Sequence, residues 1–287
     1  MGAFLYYLFY GITWLITLLP LRILYVLSDF IFLLLYYFPS YRRKIVMENL
    51  VNSFPEKTLE EIKEIEKKFY RHLSDIFVET FKIMHMRLKE QRRRLTYSNL
   101  EIIDRLREEN RDIVGLLGHY NNWEWPTLLP EYTKYKSLII YKPLQNKYFD
   151  SFMNRQRSKD GMILTPMSHI LREIIKYRQK KINTLSIFIS DQTPAKKDIQ
   201  FRMPFLNQDT PVFTGAEKIA TKYDMAVVFF NIQKIKRGYY NLDVELLFEH
   251  AAGLPQHTIT KAFNRRLEEV IREKPEYWIW SHRRWKY

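Results

Sequence analysis

From Ala3 to Leu21 no side chain is charged, and the run reads AFLYYLFYGITWLITLLPL. A bilayer's hydrocarbon core needs roughly 20 apolar residues of helix to cross it, so the run is about long enough. A second apolar run, Ile23 to Phe38, is broken by Asp29, and Pro20 and Arg22 separate the two. Arg42, Arg43 and Lys44 follow directly. Basic clusters flanking an apolar segment stay on the cytoplasmic side. The pattern predicts one membrane helix, or a shallow hairpin that dips in and returns, with the rest of the chain in the cytoplasm. A buried helix pair in a soluble protein is the plainer alternative. No Lys or Arg precedes the apolar run, as a secretory signal would require. The start MGAFLY lacks the Ser or Thr of a myristoylation signal.

Further along, the period changes. In Thr58 to Met86 the apolar residues Ile62, Ile65, Phe69, Leu73, Ile76 and Phe77 recur close to a one-face helical spacing. Thr58 with Glu61 forms a capping-box pattern. From about Asp112, short apolar runs alternate with helical stretches. IVGLLG (113–118), SLIIY (137–141), LSIFIS (185–190) and AVVFFNI (226–232) predict buried strands. The segments 149–159, 169–178 and 215–222 predict helices between them, and 260–273 a further amphipathic helix. Strands alternating with helices predict an α/β fold, a mixed sheet flanked by helices. The expected organisation is a membrane anchor over 1–40, a helical segment over 41–100 packing on the catalytic domain, and an α/β domain over 101–287.

Composition narrows the partners. The 287 residues carry 46 Lys and Arg against 32 acidic residues, a formal net charge of +14. That balance favours an anionic partner: a phosphorylated lipid, an acidic carrier protein, an anionic bilayer or a nucleic acid. Absence of cysteine removes disulfides, thiolate nucleophiles and Cys-based metal sites. Aromatic residues make up 16%, many near the two chain ends, where amphipathic rings suit a membrane interface.

The candidate chemistry centres on GHYNNWEW. His119 follows an apolar strand-like run and precedes WEWPTLL, which predicts a helix start. Functional polar residues gather at the carboxyl ends of strands in open α/β sheets. Glu124 lies five positions on. In one regular helix the two side chains would point well apart. With His119 in the turn and Glu124 in the first helical turn, the carboxylate could fold back onto the imidazole. Such a carboxylate fixes the tautomer and raises the basicity of the other ring nitrogen. That nitrogen can take a proton from an attacking hydroxyl. A capping His and a surface Glu is the bland alternative.

GHYNNWEW resembles the His-x4-Asp/Glu signature of glycerolipid acyltransferases, and its Glu form resembles the late acyltransferases of lipid A biosynthesis. The other blocks that carry the resemblance are RRKIVMENLVNSFPEKT, YKPLQNKYFD, SDQTP, PFLNQDTPVFTGAEKIA and PEYWIWSHRRWK. They follow the family's order over nearly the whole chain. The resemblance implies transfer of a fatty acyl group from a thioester, on acyl carrier protein or coenzyme A, to a hydroxyl of an anionic, phosphorylated lipid A precursor. It implies the cytoplasmic side of a cell inner membrane, no cofactor or metal, and no nucleic acid. His119 would be the base and Glu124 its orienter. Arg155 and Arg157 stand where the family carries arginines, as candidates for stabilising the oxyanion. Lys142 stands where the family has Arg, which keeps the charge but loses the bidentate fork. Asn146 belongs to the same block. Asp191 and Gln192, at a strand end, are expected to position the acceptor or support His119, with a simple turn as the alternative. Thr214, Gly215 and Glu217 open a helix that either binds phosphate or is merely capped. Arg283 and Arg284, among three tryptophans, are expected to grip a lipid phosphate or rest at the bilayer surface.

Two other functions fit parts of the pattern. One is an acyltransferase of the same fold acting on an amino-acid lipid or a glycolipid. The other is a non-enzymatic membrane or nucleic-acid-binding protein that uses the positive charge alone. No GxGxxG, GxxxxGK[ST], HExxH or GxSxG motif is present.

Overall fold

The computed structural model describes residues 3–38 and 41–287. Residues 1, 2, 39 and 40, which belong to the expected anchor, lie outside the described residues.

The two apolar runs form α1 (Ala3–Leu18) and α2 (Leu21–Tyr37), divided at Pro20. At 16 and 17 residues they rise about 24–26 Å, short of a bilayer's hydrocarbon thickness. Among the described residues no helix is long and apolar enough to cross a membrane. Both helices nonetheless turn apolar side chains outward: Phe4 is 78% exposed and Val26 70%. Their inner sides are polar in places. Ser28 donates to buried Asp75, and the exposed Asp29 pairs with Arg237, so the charge inside the second apolar run is held at the surface.

Next come α3 (Arg43–Ser53), α4 (Leu59–Lys82) and α5 (Leu88–Arg94). The expected capping box at Thr58 and Glu61 starts α4. The Lys82 ammonium, near the other end of α4, donates to the carbonyls of Thr17 and Leu19, where α1 leaves its last carbonyls free. A cation there also complements the helix dipole.

The sheet begins with β1 (Leu95–Ser98), α6 (Leu100–Glu108), β2 (Ile113–Leu117), α7 (Leu129–Thr133) and β3 (Lys136–Tyr141). It continues with α8 (Lys147–Ser158), β4 (Ile163–Pro166), α9 (Ile170–Gln179) and β5 (Thr184–Ile189). The antiparallel pair β6 (Arg202–Phe205) and β7 (Gln208–Pro211) stands apart as its own small ribbon. Then follow α10 (Gly215–Tyr223), β8 (Ala226–Lys236), β9 (Tyr239–Phe248) and α11 (Thr258–Glu273). Among the described residues, the sheet has seven strands in the order β1-β9-β8-β2-β5-β3-β4. Every neighbouring pair is parallel except β8 and β9. The expected mixed α/β sheet is present, and the four predicted strands are β2, β3, β5 and β8.

Parallel strands need apolar side chains on both faces, because helices cover both. In β2 all five residues are buried. Val114 and Leu116 pack with Ile174 of α9, Ile219 of α10 and Leu267 of α11. Ile113 and Leu117 pack on the other face with Leu24 of α2, Val78 of α4 and Ile103 of α6. A separate aromatic cluster joins Phe9 of α1 to Phe81 of α4 and Phe152 of α8. The β8–β9 turn needs Gly238: its φ is +71°, and a Cβ there would stand 2.1 Å from the Tyr25 hydroxyl.

Candidate active site

Strand pairing builds the site. β2 and β5 are parallel neighbours, with Leu117 opposite Ile189. His119 and Asp191 each follow two residues later, so the two arrive side by side at the carboxyl edge of the sheet. The His119 ring Nδ1 lies 2.6 Å from Asp191 Oδ1, and the His119 main-chain N–H donates to Asp191 Oδ2 at 2.7 Å. Between strand and site, Gly118 allows the close approach: a Cβ there would fall 2.8 Å from a Leu267 methyl and 3.2 Å from Asp191 Oδ2.

Asp191 is fully buried. Burial alone would disfavour its charge. The His119 ring, the His119 N–H and the Trp278 indole N–H outweigh it and hold the carboxyl below its ordinary range. An ionised Asp191 accepts from Nδ1–H, so in the neutral ring it is Nε2 that carries the lone pair. The Gln192 amide nitrogen lies 3.3 Å from that Nε2. His119 is partly exposed and packs edge-on against Trp123.

The expected contact of Glu124 with the imidazole is not the one that forms. Helix does not begin until Pro126, so residues 120–125 make a loop with Asn121 in the left-handed region, at φ +54°. The loop turns Glu124 toward α8, where Arg157 grips it with both ends of the fork: Nε to Oε2 at 2.9 Å and Nη2 to Oε1 at 2.6 Å. A small cavity beside this pair is lined by Thr80, Ile83, Thr127, Met153 and Gln156. The loop is tied down on its other side too. Asn122 donates to the buried carboxylate of Glu79 at 2.7 Å, and so do the hydroxyls of Tyr25 and Tyr240. Burial raises the Glu79 carboxyl above its usual range.

The remaining candidates separate into two groups. Lys142, Arg155 and Arg283 are exposed. Asn146 instead caps α8, its side-chain oxygen accepting from the N–H groups of Tyr148 and Phe149. Glu217 accepts from the N–H groups of His257 and Thr260 and so caps the start of α11.

The C-terminal tryptophans depart from their expected place at a bilayer surface. Trp278 and Trp280 are buried, and Arg284 has no exposed surface. Apolar packing explains it: Trp278 meets Phe205, Trp280 and Trp285, all edge-on. This terminal strap reaches the site directly. Trp278 Nε1–H donates to Asp191 Oδ2 at 2.8 Å. The Thr193 N–H donates to His282 Nε2 at 3.3 Å. Burial pushes His282 down to about 4. Arg284 Nη1 donates to the Pro211 carbonyl at 2.7 Å, and burial lowers its guanidinium to about 10. The strap's role at the carboxylate was invisible to local patterning, since Trp278 is 87 residues from Asp191. The run WIWSHRRW, too aromatic for a solvated tail, was the one signal for it.

A histidine held by a buried carboxylate, with its second nitrogen at a sheet edge beside the Gln192 amide, can remove a proton from a hydroxyl that reaches that nitrogen. The family model of the bacterial lipid A biosynthesis acyltransferases matches residues 1–287. The chain is 22% identical over 278 residues to a lipid A biosynthesis palmitoleoyltransferase of Escherichia coli (strain K12), across 96% of this chain and 89% of that protein. A lipid A biosynthesis acyltransferase of Shigella flexneri matches with the same identity and coverage.

Proposed function

The chain belongs to the bacterial lipid A biosynthesis acyltransferase family and is an acyltransferase, and from that premise we propose that His119 is the general base of acyl transfer to a hydroxyl of a lipid A precursor. The observation that carries this reading is the 2.6 Å contact of Nδ1 with Asp191. Asp191 fixes the tautomer; Nε2 takes the hydroxyl proton as the oxygen attacks the acyl carbonyl. The donor is a thioester, of acyl carrier protein or coenzyme A. It is already activated, so no enzyme-bound acyl intermediate is required. As the tetrahedral adduct collapses, the C–S bond breaks and the imidazolium returns its proton to the departing thiolate.

Gln192, beside Nε2, orients the acceptor hydroxyl. Arg157, fixed by Glu124, directs positive charge toward the developing oxyanion. On this reading Glu124 serves the arginine and Asp191 serves the base. Lys142, Arg155 and Arg283 contact the anionic headgroup of the acceptor. The outward apolar face of α1 and α2 seats the enzyme on the inner membrane without crossing it, with the site on the cytoplasmic side.

Two measurements test this. His119→Ala is expected to lose transfer while keeping expression and membrane association; full activity would sink the mechanism. Mass spectrometry of lipid A from cells with and without the gene is expected to show one acyl chain fewer in its absence. An unchanged acyl pattern would reject lipid A as the acceptor.

A further inference from the structure

Among the described residues, three hydrogen bonds hold the Asp191 carboxylate, and two of them come from His119 itself, through its ring and its main chain. The two main chains are fixed by the β2–β5 pairing, so what remains to be restrained is rotation of the carboxylate itself. The third donor is the Trp278 indole N–H, at 2.8 Å from Oδ2. Trp278 is anchored elsewhere. It is 1% exposed and wedged among Phe205, Trp280 and Trp285. Its main chain bridges Tyr120, the residue after His119, and the neighbouring Tyr277 carbonyl accepts from the Asn121 N–H at 2.9 Å. The strap carrying it is fixed in turn to α3, where Asn49 donates to the carbonyls of Trp280 and His282 at 2.8 and 3.0 Å.

The geometry points to Trp278 as a positioning residue for the His119–Asp191 pair, the one that registers the carboxylate against the body of the protein. It touches no reacting atom and acts through Asp191. The catalytic consequence rests on His119 being the base, as proposed above; the positioning does not. Loss of the indole donor concentrates negative charge on Asp191, which stabilises the protonated imidazole more strongly. It also frees the carboxylate to swing.

Two replacements remove the donor. Trp278→Phe is the simple one. Incorporation of 3-benzothienylalanine at position 278 is the cleaner one, because sulfur replaces the N–H within the same ring outline and the packing survives. Both are examined as the full chain in detergent micelles. The first readout is kcat and KM against pH. The second is the titration of the His119 ring by nitrogen-15 NMR, assigned by the signal that disappears in His119→Gln. The expected result is a rise of about half to one pH unit in the His119 titration and in the acid limb of kcat. With it comes a fall of about 10- to 100-fold in kcat at unchanged KM. Phe205→Leu, which loosens the packing but keeps the donor, is expected to lower thermal stability and leave the His119 titration in place. A benzothienyl protein whose His119 titrates as in the wild type would overturn the proposal and leave Trp278 a packing residue. If His119→Ala remains active while the benzothienyl protein still shifts the ring titration, the base assignment fails and the positioning by Trp278 stands.

Discussion

The carboxylates of Asp191 and Glu124 have different partners, His119 and Arg157, and that difference is measurable. Asp191→Asn keeps the shape but can present an N–H to Nδ1, favouring the wrong tautomer. It is expected to lower kcat by about 10³- to 10⁴-fold, by analogy with other His–Asp pairs. Glu124→Gln leaves the tautomer alone and weakens the grip on Arg157, so its loss is expected to be smaller, about 10- to 100-fold, with no shift in the acid limb of the pH profile. Steady-state kinetics of the two variants decide it; equal losses with equal pH shifts would refute the division of labour. Gly118→Ala would drive a methyl against Leu267 and Asp191. A cost of about 1–3 kcal/mol in urea unfolding is expected, as for other overpacked cores. His119 was legible in the sequence because a strand end and the His-x4-Glu signature coincide there. Glu124 meets Arg157 and not His119 because the loop turns at the left-handed Asn121, and no spacing rule anticipates that turn. The Asp191 contact was partly legible: each residue stands just beyond an apolar run, IVGLLG and LSIFIS. What the runs do not state is that β2 and β5 are neighbours.

Elements were legible where both faces of a strand or one face of a helix carry the apolar load. β2, β3, β5 and β8 announced themselves in this way. β9 is not among the predicted strands although it carries a half-buried strand's alternation, Tyr240, Leu242 and Val244 buried between the less buried Asn241 and Asp243. β1 and β4 are edge strands of four residues each, and β4 ends in Pro166. Edge strands tolerate proline and short length, so they leave little pattern to read. One helix start depends on a residue far from it. Glu217 of α10 accepts from His257 N–H at 2.5 Å and Thr260 N–H at 2.9 Å. Glu217→Ala is expected to cost about 1–2 kcal/mol of stability through the lost cap of α11. Glu217→Gln should retain part of it. Thermal melts of the two variants check the order, and equal melting temperatures for Ala and wild type would show that the cap is idle.

At the scale of the molecule, α1 and α2 are apolar on both sides: Leu21, Leu24 and Phe32 pack inward beside a few polar groups such as Thr17 and Ser28, while an apolar face is left outward. Leu15 and Val26 are 62% and 70% exposed. Replacing either with Glu removes about 1.5–3 kcal/mol of apolar burial in a bilayer, so binding to anionic lipid vesicles is expected to fall at least about tenfold. Thermal stability in detergent should hold, since neither side chain packs inside. Unchanged vesicle binding in both variants would reject the seating. Acid is expected to act on the opposite end of the chain. Burial holds His282 down to about 4, from an ordinary value near 6.5. Between those values the unfolded chain takes a proton that the folded chain refuses. The contribution is therefore fully present above about pH 6.5 and is lost as pH falls toward 4, on the order of 2 kcal/mol after allowing for partial exposure. Buried His72, beside Lys234, is depressed in the same direction. Urea unfolding at pH 7.5 and pH 5 should show the decline, and His282→Gln should reduce it while leaving the share of His72.

The strap also fixes when activity can first appear during folding. His119 and Asp191 are 72 residues apart in sequence, Asp191 and Trp278 are 87, and Asn49 and Trp280 are 231. Contacts of such range close only after the entropy of long loops has been met. Helices such as α4 can form early from local signals, but the assembled site cannot. In a refolding experiment, recovery of acyl transfer should therefore track the slowest global phase and lag behind the return of helical circular dichroism. Enzymatic activity here serves as a reporter of completed folding.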